Sequence, residues 1–482
     1  MRRAIIGGQE VEGNLRVKVI NPSVGEPFED VAADGNSELT KAAIDAAADS
    51  QEKFASLPIH ERAKVLLRAS EILNSRREEA ARLLSMEGGK PIKDARIEIS
   101  RAISILRIAA EEARFVLEGK IHRVDAYEYP VGNENRLVLE VREPLGVVGA
   151  ILPYNFPANS FAHKVAPNLA AGNAVIVKPA SATPLSALFL ASIMYEAGLP
   201  KGVLSVIPGP ASAVGEEIVR NPKVFGITFT GSTDVGLGIA SEASRRGKRV
   251  MMEMGGSDPM LILDDADLDV AVPTAIRARF EHAGQNCNST KRILVHESLY
   301  ERFLRAFING VATLRVGNAL EESTDMGPVI SESSIRDMEG FVSDALERGG
   351  RLVVGGHRLN GGGFFFAPTV FTDVPPDARI MKEEVFGPIV PIYKFSSDSE
   401  AIEIANSTNF GLQASIFTRD YKRALKMASQ IKAGAVMIND STRLRWDALP
   451  FGGVKLSGLG AREGVRTTME AMSEPKLISL RI

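Results

Sequence analysis

The stretch that decides the fold runs from Gly146 to Leu263. It holds five short apolar runs: Val147 to Leu152, Ala174 to Lys178, Val203 to Ile207, Gly226 to Phe229 and Arg249 to Met254. Between them lie segments of helical length, such as Leu185 to Ala197, closed by Gly198 and Pro200. Strands alternating with helices predict a parallel sheet covered by helices. Ligands on such sheets bind at the carboxyl ends of the strands. The loops after these runs are therefore where chemistry is expected.

Working outward, a second alternating region spans Asp267 to Phe417. Its helix candidates are Asp267 to Phe280, Ser298 to Leu314 and Ser331 to Glu347. Its strand candidates are Arg292 to Val295, Arg351 to Val354, Ile389 to Tyr393 and Ala414 to Phe417. This predicts a second α/β domain of similar size. Upstream, the first third reads as mainly helical. Ile99, Ile103, Leu106 and Ala110 recur as the stripe of an amphipathic helix. Pro58 and Pro91 suit first helical turns, and Gly88-Gly89 reads as a break between helices. From Arg136 to Arg142, Leu137, Leu139 and Val141 alternate with polar residues, the pattern of a half-exposed strand. Such a strand is either an ordinary sheet edge or one that pairs with another subunit. The last fifty residues carry a Gly-rich loop, Phe451 through Gly460, then a short helix and a strand-like end.

The chain has 482 residues, which points to roughly three domains. Apolar residues make up 45% and charged residues 24%, as in soluble globular proteins. Fifty-seven basic residues stand against 60 acidic ones, a net charge of -3 that argues against a nucleic-acid binder. The longest apolar stretches, such as Leu145 to Pro153, are too short to span a bilayer. Gly7, Gly8, Gln9 and Glu10 cut off any signal region after Arg2 and Arg3, so a cytoplasmic location is expected. Cys287 is the only cysteine, and the six histidines include no HExxH. No disulfide and no metal site are expected.

Five features carry possible chemistry. Cys287 lies in Gly284-Gln285-Asn286-Cys287-Asn288-Ser289, a polar loop between helix and strand. It reads as a buried small residue or as a reachable nucleophile. Glu253 ends an apolar run and precedes Gly255-Gly256. It is a solvated strand end, or a general base if it meets Cys287 in space. Phe229-Thr230-Gly231-Ser232-Thr233-Asp234-Val235-Gly236 follows a strand and opens a helix. It is a tight turn or a pyrophosphate cradle, though not GxGxxG or a Walker loop. Lys178 closes a strand, where a flexible point charge would reach ribose hydroxyls or a phosphate. Asn155, between Pro153 and Pro157, is a turn residue or a rigidly held oxyanion donor.

Taken together and in this order, these segments resemble the aldehyde dehydrogenase superfamily across nearly the whole chain. The matching segments are PYNFP at 153–157, KPASATP at 178–184, FTGSTDVG at 229–236, EMGGSDP at 253–259, GQNC at 284–287, EEVFGP at 383–388 and PFGGVKLSG at 450–458. The resemblance implies two parallel-sheet α/β domains and a small β oligomerisation element. The cofactor-binding domain would be 1–125 with 145–254, the catalytic domain 255–456, and the oligomerisation element 126–144 with 470–482. Homodimers or homotetramers are implied. Cys287 would be the nucleophile that forms a thiohemiacetal, with Asn155 and the backbone N–H of Cys287 holding the oxyanion. Hydride would pass to the nicotinamide to leave a thioester, and Glu253 would activate the water that releases the acid. For the cofactor, the resemblance implies Lys178 on the adenosine ribose, Gly231, Ser232 and Gly236 at the pyrophosphate turn, and Glu384 with Phe386 at the nicotinamide ribose. Tyr154 replaces a more frequent tryptophan. Glu463 would match a second acidic residue near the tunnel, though Ala461 looks like an insertion in that run.

Three departures bear on specificity. Ser181 stands where NAD-preferring members often carry a glutamate that would repel a 2′-phosphate, so NADP is expected, with NAD accepted. Asn159, Ser160 and His163 stand where many members carry apolar residues, which suits a small hydroxylated aldehyde. Asn286 occupies the position before the nucleophile where phosphate-binding members carry arginine. GLQASIFT at 411–418 and IND at 438–440 resemble the non-phosphorylating glyceraldehyde-3-phosphate branch and its lactaldehyde relatives. The expected substrate is glyceraldehyde. Lactaldehyde, succinate semialdehyde and glyceraldehyde 3-phosphate are alternatives, and Arg443 and Arg445 keep a negative substrate open. Acyl transfer to coenzyme A and a silent nucleotide-binding scaffold are the remaining rivals.

Overall fold

The apolar runs between Gly146 and Leu263 form the centre of an eight-stranded sheet in the computed structural model, which describes residues 1–482. From edge to edge its strands are Gly458–Gly460, Arg249–Glu253, Val224–Thr230, Val147–Ile151, Ala174–Lys178, Leu204–Val206, Ala4–Ile6 and Gln9–Val11. The five strands from Arg249–Glu253 to Leu204–Val206 are parallel. Their carboxyl ends share one edge, because Ile151 pairs with Lys178 and with Phe229, and Thr230 with Glu253. The chain winds outward from Val147–Ile151 in one direction, then returns to the other side of it with Val224–Thr230. The crevice between those two strands is thus a topological switch point, where open α/β sheets bind ligands.

A second sheet runs Arg351–Val354, Thr369–Thr372, Ile389–Phe395, Thr290–His296, Asp258–Ile262, Gln413–Phe417 and Ala435–Ile438. All its pairs are parallel except the first. Each large sheet has its own buried core, one with Val175, Val177 and Ile227, the other with Met260, Ile262 and Ile293. Two parallel α/β layers are the architecture the alternation predicts. No helix is long and apolar enough to cross a membrane.

A third, small sheet joins Ser473–Arg481, Arg136–Pro144 and Lys120–His122. Ile121, Leu477 and Leu480 are exposed on it. Lys120–His122 therefore belongs with the strand after it, inside a stretch expected to lie in the cofactor domain. Three residues are too few to show a period, so only the pairing to Val138–Glu140 reveals this strand.

The first third is mainly helical from Glu38 to Val116, as expected, but four strands that were not expected precede the helices. Ala4–Ile6, Gln9–Val11, Leu15–Asn21 and Glu26–Ala33 are strands, and the helices begin at Glu38. Leu15-Arg16-Val17-Lys18-Val19 carries a period of two, legible in hindsight.

The long helix Ile92–Val116 begins after Pro91 and buries Ile99, Ala102, Ile103, Leu106 and Ala110. It packs on Pro157–Ala171, a helix buried along its whole length. That helix has no side-chain cap of its own. Glu98, reaching across from the long helix, accepts the N–H groups of Ala158 and Asn159 at 3.0 and 3.1 Å instead. Its other oxygen pairs with Lys90, whose Nζ donates to the Asn155 carbonyl at 2.8 Å. The turn that carries Asn155 is thereby held by a buried ion pair from outside.

Candidate active site

Cys287 sits between two cavities. The larger, about 430 Å³, is lined by Tyr154, Gly231, Ser232, Val235, Met254, Gly255, Glu384 and Phe386 among others. The narrower, about 40 Å³, is lined by Arg101, Phe156, Asn159, Ser160, Asn288, Arg443, Arg445, Phe451 and Glu463. Pro153, Asn155, Thr230, Glu253 and Cys287 line both. These five come from the ends of three strands of the first sheet and from the loop entering Thr290–His296 of the second. The nucleophile candidate, the base candidate and the amide candidate therefore meet at one junction, reached from opposite sides.

The local structure explains the placement. Glu253 is the last residue of its strand, only 3% exposed, with Oε1 unpartnered. Burial, then repulsion from Glu463, pushes its carboxyl up to about 8. Asn155 is buried and donates from Nδ2 to the Gln285 carbonyl at 2.9 Å. That bond brings its amide against the cysteine loop. The loop follows a kink at His282 and Ala283, both with φ +53°. Cys287 is half-buried, and burial with the charge of Glu253 raises its thiol well above the usual range.

The larger cavity fits a dinucleotide. Ser232 starts the helix Thr233–Ser244, whose N-terminus favours a phosphate. A Cβ on Gly231 would lie 2.6 Å from the Phe229 ring, and one on Gly255 would lie 2.2 Å from Glu384 Oε2. A side chain on Gly231 would collide with the Phe229 ring, and one on Gly255 would displace the Glu384 carboxylate. Gly236 lies one turn on, where a Cβ would meet Met254 Sδ at 2.7 Å, so it serves packing beneath the cavity. Glu384 accepts the Gly256 N–H at 3.1 Å, and Tyr154 meets Phe386 edge-on at 5.8 Å. Farther along, Ile151 and Val235 also line a pocket of about 390 Å³ with Lys178, Ser212, Gly215 and Glu216. Lys178 is buried there, its Nζ donating only to the Pro179 carbonyl at 3.2 Å, and burial lowers it to about 8. A buried ammonium without an anion is poised for hydroxyls or a phosphate. Ser181 is exposed in the turn beyond it.

On the narrow side, Asn159 and Arg445 line the cavity. Asn159 Oδ1 and the Nε atoms of Arg443 and Arg445 are buried without partners. His163 and Asn286 do not line it. His163 is fully buried behind Asp447, with Nε2 3.1 Å from its Oδ1. Burial, then the charge of Arg445, pushes it down to about 4. It faces the protein because its helix is enclosed on all sides. Asn286 turns away and donates to the Glu281 carbonyl at 3.0 Å.

The charged residues of the lining are paired with one another and with buried groups behind them, a pairing that the sequence does not show. Arg101 pairs with Asp447 at 2.5 Å, Arg443 pairs with Glu281 and donates to Asn288 Oδ1 at 2.9 Å, and Arg445 pairs with Glu463 at 2.9 Å. Lys164, wholly buried, pairs with the other oxygen of Glu463 at 2.5 Å. Burial alone would raise Glu463, but Lys164 and Arg445 outweigh it and hold the carboxyl well below the usual range. Glu463 reaches the cavity beside Glu253. Lys164 is the one lysine, arginine or acidic side chain of the helix Pro157–Ala171, a charge in an otherwise uncharged buried helix that marks a paired group.

The profile described as the Aldehyde dehydrogenase family matches residues 10–478. The chain is 42% identical over 464 residues to the lactaldehyde dehydrogenase of Methanocaldococcus jannaschii, covering 95% of this chain and 96% of that one. It is 37% identical over 481 residues to the NADP(+) succinate-semialdehyde dehydrogenase GabD of Escherichia coli, covering 99% and 98%. The crystal structure of glyceraldehyde-3-phosphate dehydrogenase GapN from Methanocaldococcus jannaschii, complexed with NADP, superposes with a TM-score of 0.91 at 40% identity, over 97% of this chain and 100% of that one.

Proposed function

The chain belongs to the aldehyde dehydrogenase family, and from that premise we propose that it oxidises a small hydroxyaldehyde, glyceraldehyde first, with NADP as the preferred acceptor. One observation carries the reading: Cys287, Glu253 and Asn155 line both cavities at their junction. In this reading Cys287 Sγ adds to the carbonyl carbon. Asn155 Nδ2 and the Cys287 N–H donate to the oxygen as it becomes an alkoxide, a role worth on the order of 10²–10³ in rate per donor. A nicotinamide dinucleotide lying along the larger cavity and the pocket beyond it would be held by Ser232, Glu384 and Lys178, and would accept the hydride that the alkoxide expels, leaving an acyl group on Sγ. Glu253 then takes a proton from water, and that water cleaves the Sγ–acyl bond to release the acid. A buried base at the acyl carbon favours water over coenzyme A as the acceptor.

The substrate side supports a small molecule. About 40 Å³ holds on the order of three water-sized volumes. The unpartnered Asn159 Oδ1 and the Ser160 side chain offer polar contacts for hydroxyls. Arg101, Arg443 and Arg445 favour a second reading, an aldehyde with an anionic end such as succinate semialdehyde. Each already has a carboxylate partner, which favours the neutral hydroxyaldehyde. Ser181 presents no carboxylate against a 2′-phosphate, which supports NADP. The two large sheets and their helices are read as cofactor and catalytic domains. The exposed Ile121, Leu477 and Leu480 on the small sheet suit a subunit contact, with a homotetramer or homodimer expected by light scattering.

The test is reduced-nicotinamide formation with NADP and NAD over glyceraldehyde, lactaldehyde, glyceraldehyde 3-phosphate, succinate semialdehyde and acetaldehyde. Highest kcat/KM for glyceraldehyde with NADP is expected. A preference for a charged aldehyde would transfer the assignment to the arginine reading. Loss of turnover in all pairs would overturn the dehydrogenase assignment.

A further inference from the structure

Lys291 is fully buried near the start of the strand Thr290–His296. Its Nζ donates to the carbonyl of Asn286 at 2.6 Å and to the carbonyl of Cys287. The same Nζ lies 3.5 Å from Glu384 Oε1, which also accepts the Gly256 N–H. One ammonium group thus joins the backbone of the nucleophile's loop to the carboxylate on the wall of the larger cavity. Bonded to the carbonyl of Cys287 itself, it stays within about 7 Å of Sγ by covalent reach.

The charges that face Cys287 make this position consequential. Glu253 approaches from the end of Arg249–Glu253, Asp258 from the start of Asp258–Ile262, and Glu384 from the loop before Ile389–Phe395. All three carboxyls oppose a thiolate, and Lys291 is the group that favours it. Arg443, on the substrate side, is occupied by Glu281 and Asn288. Asn155 brings a neutral amide. An attacking thiol needs thiolate character, and a nearby cation supplies it.

We propose that Lys291 is a positioning residue for the nucleophile: it clamps the Asn286 and Cys287 carbonyls and supplies the positive charge that stabilises the Cys287 thiolate. The proposal rests on Cys287 being the nucleophile but not on any substrate. It does not touch the aldehyde; it acts through the loop and the field at Sγ.

Cys287 is the only cysteine of the chain, so alkylation by iodoacetamide reports this thiol alone. The rate is measured against pH on the intact protein without cofactor, for wild type and for Lys291→Met, Lys291→Gln and Lys291→Arg. Loss of the charge is expected to raise the alkylation midpoint by about one to three pH units in the Met and Gln variants. Gln retains an N–H donor, so it isolates charge from hydrogen bonding. Arg is expected to titrate within about half a unit of wild type, since it restores the charge. Thermal unfolding will shift in any variant of a buried residue, and only the midpoint separates the two roles. Neutral variants that titrate with wild type overturn the proposal. So does an Arg variant displaced as far as Met, because packing would then be the cause. A normal alkylation profile in a protein that oxidises no aldehyde would count against the dehydrogenase reading and leave this one standing.

Discussion

The pH dependence of acyl release tests the site most directly. Glu253 must be ionised to take a proton from water, yet burial and Glu463 push it up to about 8. The sign follows: release is slow below that value and rises with pH through it. From a single titration, about one-tenth of the base is ionised at pH 7, about half at pH 8 and about nine-tenths at pH 9. The steady rate should therefore rise about tenfold between pH 7 and the plateau when release limits turnover. Replacing Glu463 by Gln removes the like charge and frees Lys164 and Arg445 from their partner. Both changes favour ionised Glu253, so the midpoint should fall by on the order of one unit. The cost is a buried lysine left unpaired, roughly 3–5 kcal/mol, so the variant needs checking for fold. Stopped-flow absorbance separates the first burst of reduced nicotinamide from the later steady rate. The burst reports hydride transfer, and the steady rate reports release. A steady rate flat from pH 6 to 9, or a midpoint that rises in Glu463→Gln, would refute the assignment of Glu253 as a base raised by its neighbours.

The other predictions concern single contacts. Cys287→Ala should abolish turnover with an unfolding temperature close to wild type; turnover near wild type would sink covalent catalysis. Asn155→Ala should lower kcat on the order of 10²–10³ with a small change in KM if its amide acts on the alkoxide as proposed; an equal loss in binding alone would make it a packing residue. Ser181→Glu should move the NADP:NAD ratio of kcat/KM towards NAD, and an unchanged ratio would remove this position from cofactor choice. Glu253→Gln should be more stable than wild type by on the order of 2–4 kcal/mol above pH 8. The group's folded value lies above its unfolded one, so the wild type loses stability as pH rises from the unfolded value through about 8. Denaturant melts at pH 5 and pH 9 should show that gap widening with pH.

The local signals in the sequence were strong where strand and helix periods are long. The runs 147–152, 174–178 and 249–254 became the parallel core, and the stripe from Ile99 to Ala110 became the buried face of a long helix, because burial on one or both faces imposes those periods. Motif order identified the family, and it drew attention to Cys287, Glu253 and Asn155. Short strands such as Ala4–Ile6 and Lys120–His122 were invisible, since they exist only through partners far away in the chain. Distance in sequence hid the site in the same way. Cys287 and Glu253 line the same two cavities only because a strand of the first sheet ends where one of the second begins. His163 looked like a lining residue by position, and the packing around its helix turned it towards Asp447. Nothing in the sequence sets Lys90 and Lys291 apart from other lysines, and the roles of Lys90, Lys164 and Lys291 come from what encloses them. Apolar pattern and turn chemistry are properties of neighbours along the chain, so the longer elements and the two α/β layers follow from the order of residues alone. Charge pairing and raised carboxyls depend on what is excluded from water, and only the tertiary structure decides that.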